Sequence, residues 1–215
     1  MRSLRAISIK MPANTMAIVV EPIQGEGGII VPPQGWLTAI AALCRKHDIL
    51  LLVDEIQTGL GRTGKLLACD HEQVKPDGLM LGKALGGGLV PVSLFLARAD
   101  LMDVFEPGDH GSTFGGNPLA ARIGLEALSI IEEDHLAERA ALLGEYFIDK
   151  LQQLQHPAIR QVRGRGLLLG LALDDKIPAR LVCEQLLMNG LLSKDTHETV
   201  IRLAPPLVIT EADID

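Results

Sequence analysis

The sequence feature that most constrains the fold is a pair of short runs in which every residue is apolar. The run ILLLV is followed by Asp54, and the run LML is followed by Gly82 and Lys83. Strands buried on both faces are apolar at every position, whereas half-exposed strands alternate apolar and polar residues. Both runs therefore predict strands of a mostly parallel sheet that is covered on both sides. The polar residues after them lie at the sheet edge, where ligands bind.

The rest of the first half continues this alternation of strands and helices. Apolar runs rich in β-formers at residues 17–20 and 91–97 predict two more strands, beside those at 49–53 and 79–81. A helical pattern at residues 36–47 lies between the first two strands. Strands that alternate with helices are typical of α/β proteins, so we predict an α/β fold with a mostly parallel sheet.

The periodicity changes after Asn117, where long helical patterns replace the short strands. The predicted elements are helices at 119–133 and 135–154, strands at 159–163 and 167–173, a helix at 179–189 and a strand at 200–203. Pro157 is expected to stop the second of these helices. We predict that residues 1–133 belong to the sheet domain and that residues 134–215 form a small α+β domain.

Charge and hydropathy exclude several classes of function. The chain carries a net charge of −7 and offers no basic face for nucleic acid. No run approaches the roughly 18 apolar residues of a membrane span. The opening segment MRSLRAISIKM is basic and free of acidic residues, as in a transit peptide, but lacks a secretory apolar core. We expect a small-molecule partner and a cytoplasmic location, with the mitochondrial matrix as the alternative in a eukaryote.

The cysteines give no sign of a metal or disulfide framework. Cys44, Cys69 and Cys183 are scattered without the CxxC spacing of a zinc site. We expect them to be small buried hydrophobic residues in a reducing compartment.

Three charged residues that follow predicted strands are the first candidates for chemistry: Glu21, Asp54 and Lys83. Lys83 precedes the glycines at 86–88, which let a ligand approach the backbone closely. We expect its amine to be partly desolvated, and burial lowers a lysine pKa and favours the nucleophilic free amine. The alternative is a lysine whose charged end reaches solvent.

Two adjacent carboxylates end the strand at 49–53. Neighbouring side chains on a strand point to opposite faces, so only one of Asp54 and Glu55 can face the crevice, and the other needs a helix or loop partner. An aspartate beside a lysine pocket suits pyridoxal phosphate (PLP), because the pyridine nitrogen must stay protonated for the ring to accept electrons. A turn or helix-capping aspartate is the alternative.

The segment His-Gly-Ser-Thr at 110–113 offers hydroxyl groups and flexible backbone just before a predicted helix. Such a helix start suits a phosphate group, and an ordinary helix cap is the alternative.

Other catalytic motifs are incomplete in this sequence. Residues 78–84 are one residue short of a P-loop and end in Ala where Mg²⁺ binding needs Ser or Thr. The glycines within 164–166 lack the third glycine of a dinucleotide fingerprint and precede a strand. Ser112 lies one residue early for a nucleophile elbow, and no HExxH zinc motif occurs. Phosphate-loop, dinucleotide, hydrolase and zinc-protease chemistry are therefore not indicated.

Four blocks of sequence, taken together, resemble the class III aminotransferases. They are EPIQGEGGIIVPP at 21–33, LLVDEIQTGLGRTGK at 51–65, LGKALGGGLVPVS at 81–93 and GSTFGGNPLA at 111–120. The resemblance covers nearly the whole chain and implies the fold-type I architecture of PLP enzymes. Residues 1–133 would be the carboxyl-terminal part of the large cofactor-binding domain, and residues 134–215 a small carboxyl-terminal domain, in a homodimer or a multiple of one.

The resemblance also implies roles for individual residues. Lys83 would form the Schiff base with PLP, and Asp54 would pair with the pyridinium nitrogen. Gln57 would bond the ring hydroxyl of the cofactor. Ser112 and Thr113 match the residues that reach the phosphate across the dimer interface in this family.

The segment GLLSKDTHETVIRLAPPLVI at 190–209 resembles the ornithine aminotransferases within that family. There, the arginine matching Arg202 binds the α-carboxylate of 2-oxoglutarate or glutamate, and the glutamate matching Glu26 pairs with it while ornithine is bound. An arginine presents a two-pronged donor to a carboxylate, and an acidic partner can mask that charge reversibly. A surface strand arginine is the alternative for Arg202.

The function implied by the resemblance is transfer of the δ-amino group of L-ornithine to 2-oxoglutarate, giving glutamate semialdehyde and glutamate. The alternatives are another ω-aminotransferase, acting on acetylornithine, 4-aminobutyrate or putrescine, and a noncatalytic fragment or partner-binding remnant. Family members are longer and carry, before the part matched here, the phosphate-binding loop, the ring-stacking aromatic and the ornithine contacts. By itself this chain is expected to bind PLP weakly and to expose one face of its apolar strands.

Overall fold

The computed structural model describes residues 12–215 of the chain. The basic opening segment, considered above as a targeting signal, lies outside the described residues. The chain divides into two compact units. The first unit contains the described residues up to Pro22 together with Pro33–Gln57 and Cys69–Ser129, and the second contains Ile23–Pro32, Thr58–Ala68 and Ile130–Asp215. Three segments of the first 133 residues, 23–32, 58–68 and 130–133, thus belong to the second unit.

A four-stranded sheet organises the first unit. Its strands lie in the order β1 (Ala17–Val20), β2 (Leu50–Asp54), β3 (Gly78–Leu81) and β4 (Leu94–Ala97). The first three are parallel, and β4 runs antiparallel to β3. Helix α1 (Trp36–His47) joins β1 to β2 and packs against β2. The α/β fold with a mostly parallel sheet predicted from the sequence is confirmed.

Within the described residues, this sheet is covered mainly on one face. Leu51 and Val53 of β2 are buried on one side, whereas Val19 and Phe95 on the opposite side are 59% and 47% exposed. The pairing of Val19 with Leu52 places these exposed side chains on the face that also carries Asp54. The described residues therefore cover mainly one face of the sheet, the side on which α1 packs, and they leave one face of the apolar strands exposed, as expected for this chain by itself.

Two helices follow the sheet along the chain. The short α2 (Ala99–Met102) comes directly after β4, and α3 (Pro118–Glu133) follows the loop around Ser112. Asn117 caps α3, because its Oδ1 accepts a 2.9 Å hydrogen bond from the backbone N–H of Ala120. Pro118 suits the first helical position, where its missing N–H is not needed. The helix start expected near Asn117 is confirmed.

An antiparallel sheet forms the centre of the second unit. Its elements in chain order are α4 (Leu136–Gln153), β5 (Ile159–Arg165), β6 (Leu168–Leu173), α5 (Ala179–Met188), β7 (Lys194–Thr196), β8 (Val200–Leu203) and α6 (Glu211–Ile214). The strands lie in the order β5-β6-β8-β7. An antiparallel sheet combined with helices is the α+β arrangement that the sequence predicts for this part of the chain. Strand β7 was not predicted, because it is short and polar.

The loop at residues 23–32 is held against β6 by close packing and by a side chain. Gly170 of β6 leaves room for this loop, since a Cβ there would lie 2.8 Å from Cβ of Ile29. Arg163 of β5 donates from Nη2 to the carbonyl of Gly28 at 2.6 Å. Ile29 itself is fully buried. These contacts fix the loop that carries Glu26.

All three cysteines are buried and free, which confirms the expectation of small core residues. Cys183 lies in a core cluster of the second unit with Leu173, Ala179 and Ile201. A search of residues 12–215 finds no helix that is both long and apolar enough to cross a membrane. The same described residues contain no cluster of His, Cys, Asp and Glu suited to a metal ion.

Candidate active site

The candidate site of the first unit lies at the carboxyl ends of β2 and β3. These strands are parallel neighbours, with Asp54 in register with Met80. Because parallel strands end at the same edge of a sheet, Asp54 and the residues after Leu81 come to the same edge. Lys83 begins the turn that leaves β3. The structure thus brings the two principal candidates to one edge, as the sequence predicted.

The two adjacent carboxylates at the end of β2 have different surroundings. Asp54 is half-buried, and its Oδ1 accepts a 2.9 Å hydrogen bond from the backbone N–H of Ile56. Glu55 is only 1% exposed, and its Oε1 accepts a 2.8 Å hydrogen bond from the backbone N–H of Cys69. This confirms that one carboxylate requires a loop partner and leaves the other at the strand end. Gln57 follows in the same loop and is half-buried.

The backbone at Lys83 is in a conformation that lysine rarely adopts. Lys83 has a φ of 45° and begins a 3₁₀ turn, Lys83–Gly86, that ends at Gly87 with a φ of 58°. Left-handed backbone at a residue with a Cβ is unfavourable and concentrates at functional sites. This strained turn directs the chain away from β3 at the residue implied to hold the cofactor.

Lys83 is an exposed residue, so the expected partial burial is not seen among the described residues. The reason is that Lys83 lines an open cavity of about 540 Å³ instead of a closed pocket. Ser93, Ser112 and Asn117 contribute polar groups to the same cavity, and Phe114 contributes an apolar one.

The loop before α3 supplies the hydroxyl groups of this cavity. Oγ of Ser112 accepts a 2.9 Å hydrogen bond from the backbone N–H of Gly115, which folds the loop into a turn. Ser112 lines the cavity with Lys83, while Thr113 is exposed beside it and is not among the lining residues. The cavity thus brings Lys83 and Ser112 together, while Asp54 and Gln57 are not among its lining residues.

The second unit contains the other predicted pair, and the structure places its members in contact. Oε1 of Glu26 lies 2.7 Å from Nη1 of Arg202. The Arg202 side chain is 19% exposed and that of Glu26 is 60% exposed. The backbone carbonyl of Glu26 accepts a 2.9 Å hydrogen bond from Oγ1 of Thr196. A guanidinium with a displaceable acidic partner is a suitable carboxylate site.

Sequence reasoning missed a second arginine close to this pair. Nη1 of Arg62 donates to the carbonyls of Leu167 and Pro205 at 3.0 and 2.5 Å. Burial, and then the positive charge of Arg202, lower the pKa of Arg62 to about 10. Arg62 therefore ties the segment just after β8 to the start of β6. Its only sequence signal was an arginine between glycines, GRTG, which does not by itself indicate a buried cation.

Comparison with known proteins gives a family match over the entire chain. The family model described as Aminotransferase class-III matches residues 1–215. The ornithine aminotransferase of Halalkalibacterium halodurans is 53% identical over 212 residues, which are 99% of this chain and 53% of that protein. The chain therefore spans about half the length of the curated relatives it matches.

Solved structures show the same likeness. The ornithine aminotransferase of Toxoplasma gondii, crystallised with oxidised glutathione and with partial occupancy of PLP at its active site, matches with a TM-score of 0.95 and 49% identity. That match covers 99% of this chain and 51% of the Toxoplasma chain. The acetylornithine aminotransferase of Elizabethkingia anophelis matches with a TM-score of 0.92 and 49% identity, over 98% of this chain and 54% of its own.

Proposed function

This chain belongs to the class III aminotransferase family, and we propose that it is part of an enzyme that transfers the δ-amino group of L-ornithine to 2-oxoglutarate. The products are glutamate semialdehyde and glutamate. The observation that carries the proposal is the ion pair between Glu26 and Arg202, which gives a masked carboxylate site. The names of the relatives at 53% identity support ornithine as the amino donor.

The residues at the edge of the first sheet fit PLP as the cofactor. Asp54 ends β2, Lys83 follows the neighbouring parallel strand β3, and Lys83 lines an open cavity. Lys83 would hold the cofactor covalently, Asp54 would bond its ring nitrogen and Gln57 its ring hydroxyl. Ser112 and Thr113 would bond its phosphate across a homodimer interface. When bound, PLP supplies an electron sink for the carbon that loses a proton.

Asp54 and Lys83 of the first unit have different tasks in this proposal. The Asp54 carboxylate keeps a proton on the ring nitrogen, and the hydrogen bond from Ile56 N–H to its Oδ1 holds it in orientation. The Lys83 amine would act as general base and acid at the substrate carbon whose proton moves. The open side of the cavity leaves room for a substrate.

The pair in the second unit serves two unlike substrates in turn. Ornithine reacts through its δ-amino end, which carries no carboxylate, so Arg202 stays masked by Glu26. 2-Oxoglutarate brings a carboxylate that can displace Glu26 and accept both donors of the guanidinium. Masking the cation also disfavours α-amino acids in the first half-reaction, since their carboxylate must compete with Glu26.

The proposal is tested by half-reactions of the full-length protein with a panel of amino donors. Spectral conversion of the bound cofactor by ornithine, faster than by N-acetylornithine, 4-aminobutyrate or putrescine, supports it. Fastest reaction with acetylornithine would favour the second candidate, which the 49% identity to the Elizabethkingia enzyme supports. A protein that retains no cofactor absorbance after PLP is added and unbound PLP is removed would indicate a noncatalytic remnant. A cytoplasmic or mitochondrial-matrix location is part of the proposal.

A further inference from the structure

A second cation contacts the carboxylate that masks Arg202. Oε1 of Glu26 lies 2.7 Å from Nη1 of Arg202, and Oε2 of the same carboxylate lies 3.7 Å from Nζ of Lys194. The two oxygens are therefore divided between an arginine and a lysine. Lys194 formed no part of the sequence-based site.

The sheet of the second unit places both cations on the same side. Lys194 of β7 and Arg202 of β8 are antiparallel register partners. Side chains at such opposed positions lie on one face, with Cβ atoms about 4.5–5.5 Å apart. Movement of the Glu26 carboxylate from one cation to the other is thus a short side-chain displacement.

The backbone of Glu26 is fixed while its side chain remains accessible. Oγ1 of Thr196, also on β7, holds the Glu26 carbonyl at 2.9 Å. The side chains of Glu26 and Lys194 are 60% and 59% exposed, against 19% for Arg202. The pair with Lys194 therefore forms on the solvent side of the pair with Arg202.

Given the proposed function, we propose that Lys194 is a specificity-determining residue that receives Glu26 when the carboxylate of the oxo acid takes its place on Arg202. With Lys194 present, the displaced carboxylate keeps a cationic partner, so opening of the Glu26–Arg202 pair is less unfavourable. The lysine also adds positive charge beside Arg202, which favours an anionic substrate. In the amino-donor half-reaction Glu26 stays paired with Arg202, so Lys194 should not favour that half-reaction in either way.

The first test follows the transfer of Glu26 through the reactivity of the Lys194 amine, and it does not require enzymatic activity. Brief acylation of the purified full-length protein, read by mass spectrometry, reports how much of each lysine amine is unprotonated. In Arg202→Gln, Glu26 can pair only with Lys194 among these two cations, and labelling of Lys194 should slow about two- to fivefold, as for an exposed pair. Lys176, in the turn after β6, is the internal reference.

A double substitution separates transfer of the carboxylate from mere loss of a neighbouring positive charge. Arg202→Gln in a Glu26→Gln background removes the same charge with no carboxylate to move. The slowing at Lys194 should be smaller there. Equal slowing in both backgrounds overturns the proposal.

The second test uses half-reactions of the full-length protein. Lys194→Met should lower kcat/KM for 2-oxoglutarate about two- to fivefold and leave that for ornithine little changed. In a Glu26→Gln background most of that loss should disappear, while the charge-matched control Lys176→Met should change neither half-reaction. A loss that persists without the Glu26 carboxylate overturns the transfer role.

The two tests separate this inference from the proposed function. If labelling shows the transfer but the protein does not use ornithine, the two-cation site is supported for a different carboxylate substrate. Only the assignment of ornithine as the amino donor is then refuted. Ornithine turnover without any change in Lys194 labelling keeps the proposed function and overturns the role of Lys194.

Discussion

The carboxylate of Glu55 accepts a 2.8 Å hydrogen bond from the backbone N–H of Cys69, and this contact fixes the loop that follows β2. Glu55 is buried, and its own backbone N–H donates to the carbonyl of Met80 at 3.0 Å. The chain is therefore anchored one residue after Asp54 to both β3 and the 3₁₀ turn Ala68–Glu72. An anchor at this point holds Asp54 at the sheet edge.

Removal of this anchor should destabilise the first unit. Glu55→Ala leaves the N–H of Cys69 buried without its acceptor, so we expect the free energy of unfolding to fall by about 1–3 kcal/mol. Glu55→Gln keeps an acceptor oxygen and should lose less. Urea denaturation followed by circular dichroism measures both variants. Equal losses would show that the hydrogen bond contributes little.

The thiol of Cys69 should make stability fall at high pH. Burial, and then the negative charge of Glu55, raise the pKa of Cys69 from 9.0 to about 12. The unfolded thiol releases its proton near its ordinary pKa while the folded one retains it, so this contribution is complete below pH 9 and is lost as pH rises toward 12. Unfolding free energies between pH 8 and about 11 should decline less in Cys69→Ala than in the wild type. Parallel curves would contradict the raised pKa.

Elements with strong local patterns could be predicted from the sequence, and short polar ones could not. The strand Ala17–Val20 and the helix Trp36–His47 were predicted with their observed bounds. Helix α4 ends at Gln153, one residue before its predicted end, and Gln155 then adopts a left-handed φ of 42° that ends the helical path before Pro157. Strand β7 has no apolar alternation and exists because it pairs with β8.

The parts of the site that depend on position along a strand could be predicted from the sequence. Asp54 and Lys83 follow apolar strands, so their common edge could be inferred from local sequence. The exposure of Lys83 could not be inferred from local sequence, because it depends on what covers the sheet. The tie from Arg62 to Pro205 joins residues 143 positions apart, and no local pattern reports such a contact.

The cofactor lysine can be tested by chemical trapping. If Lys83 holds PLP, borohydride reduction of the loaded full-length protein should attach the cofactor to this residue alone. Lys83→Ala should abolish the trapped adduct, while Lys75→Ala, which removes an exposed lysine of the same unit, should not. Peptide mapping by mass spectrometry locates the adduct. An adduct on another lysine of the Lys83→Ala variant would contradict the assignment.

The charge of Asp54 can be separated from its local hydrogen bond. Asp54→Asn keeps an oxygen acceptor for the N–H of Ile56, which now bonds Oδ1 at 2.9 Å, but cannot hold a proton on the ring nitrogen. We expect PLP binding to persist and turnover to fall by orders of magnitude. Asp54→Ala should behave similarly with weaker cofactor binding. Near-normal turnover in Asp54→Asn would remove the carboxylate from the chemistry.

Under the proposed function, the Glu26–Arg202 pair should act differently on the two half-reactions, because only 2-oxoglutarate would bring a carboxylate to the guanidinium. Arg202→Ala removes charge-assisted hydrogen bonds to 2-oxoglutarate, so we expect kcat/KM for that half-reaction to fall about ten- to hundredfold. The ornithine half-reaction should lose much less. Stopped-flow spectra of the bound cofactor in the full-length protein measure each half-reaction separately.

The opposite substitution should widen the range of amino donors. Glu26→Ala leaves Arg202 without the partner now 2.7 Å away, so the carboxylate of an α-amino acid no longer has to displace it. The rate with glutamate should therefore rise relative to the rate with ornithine, whereas Glu198→Ala, at an exposed turn of the same unit, should leave the ratio unchanged. Because the ratio compares two donors on one variant, a general loss of activity cancels. An unchanged ratio in Glu26→Ala would mean that the ion pair is structural and that another feature excludes α-amino acids.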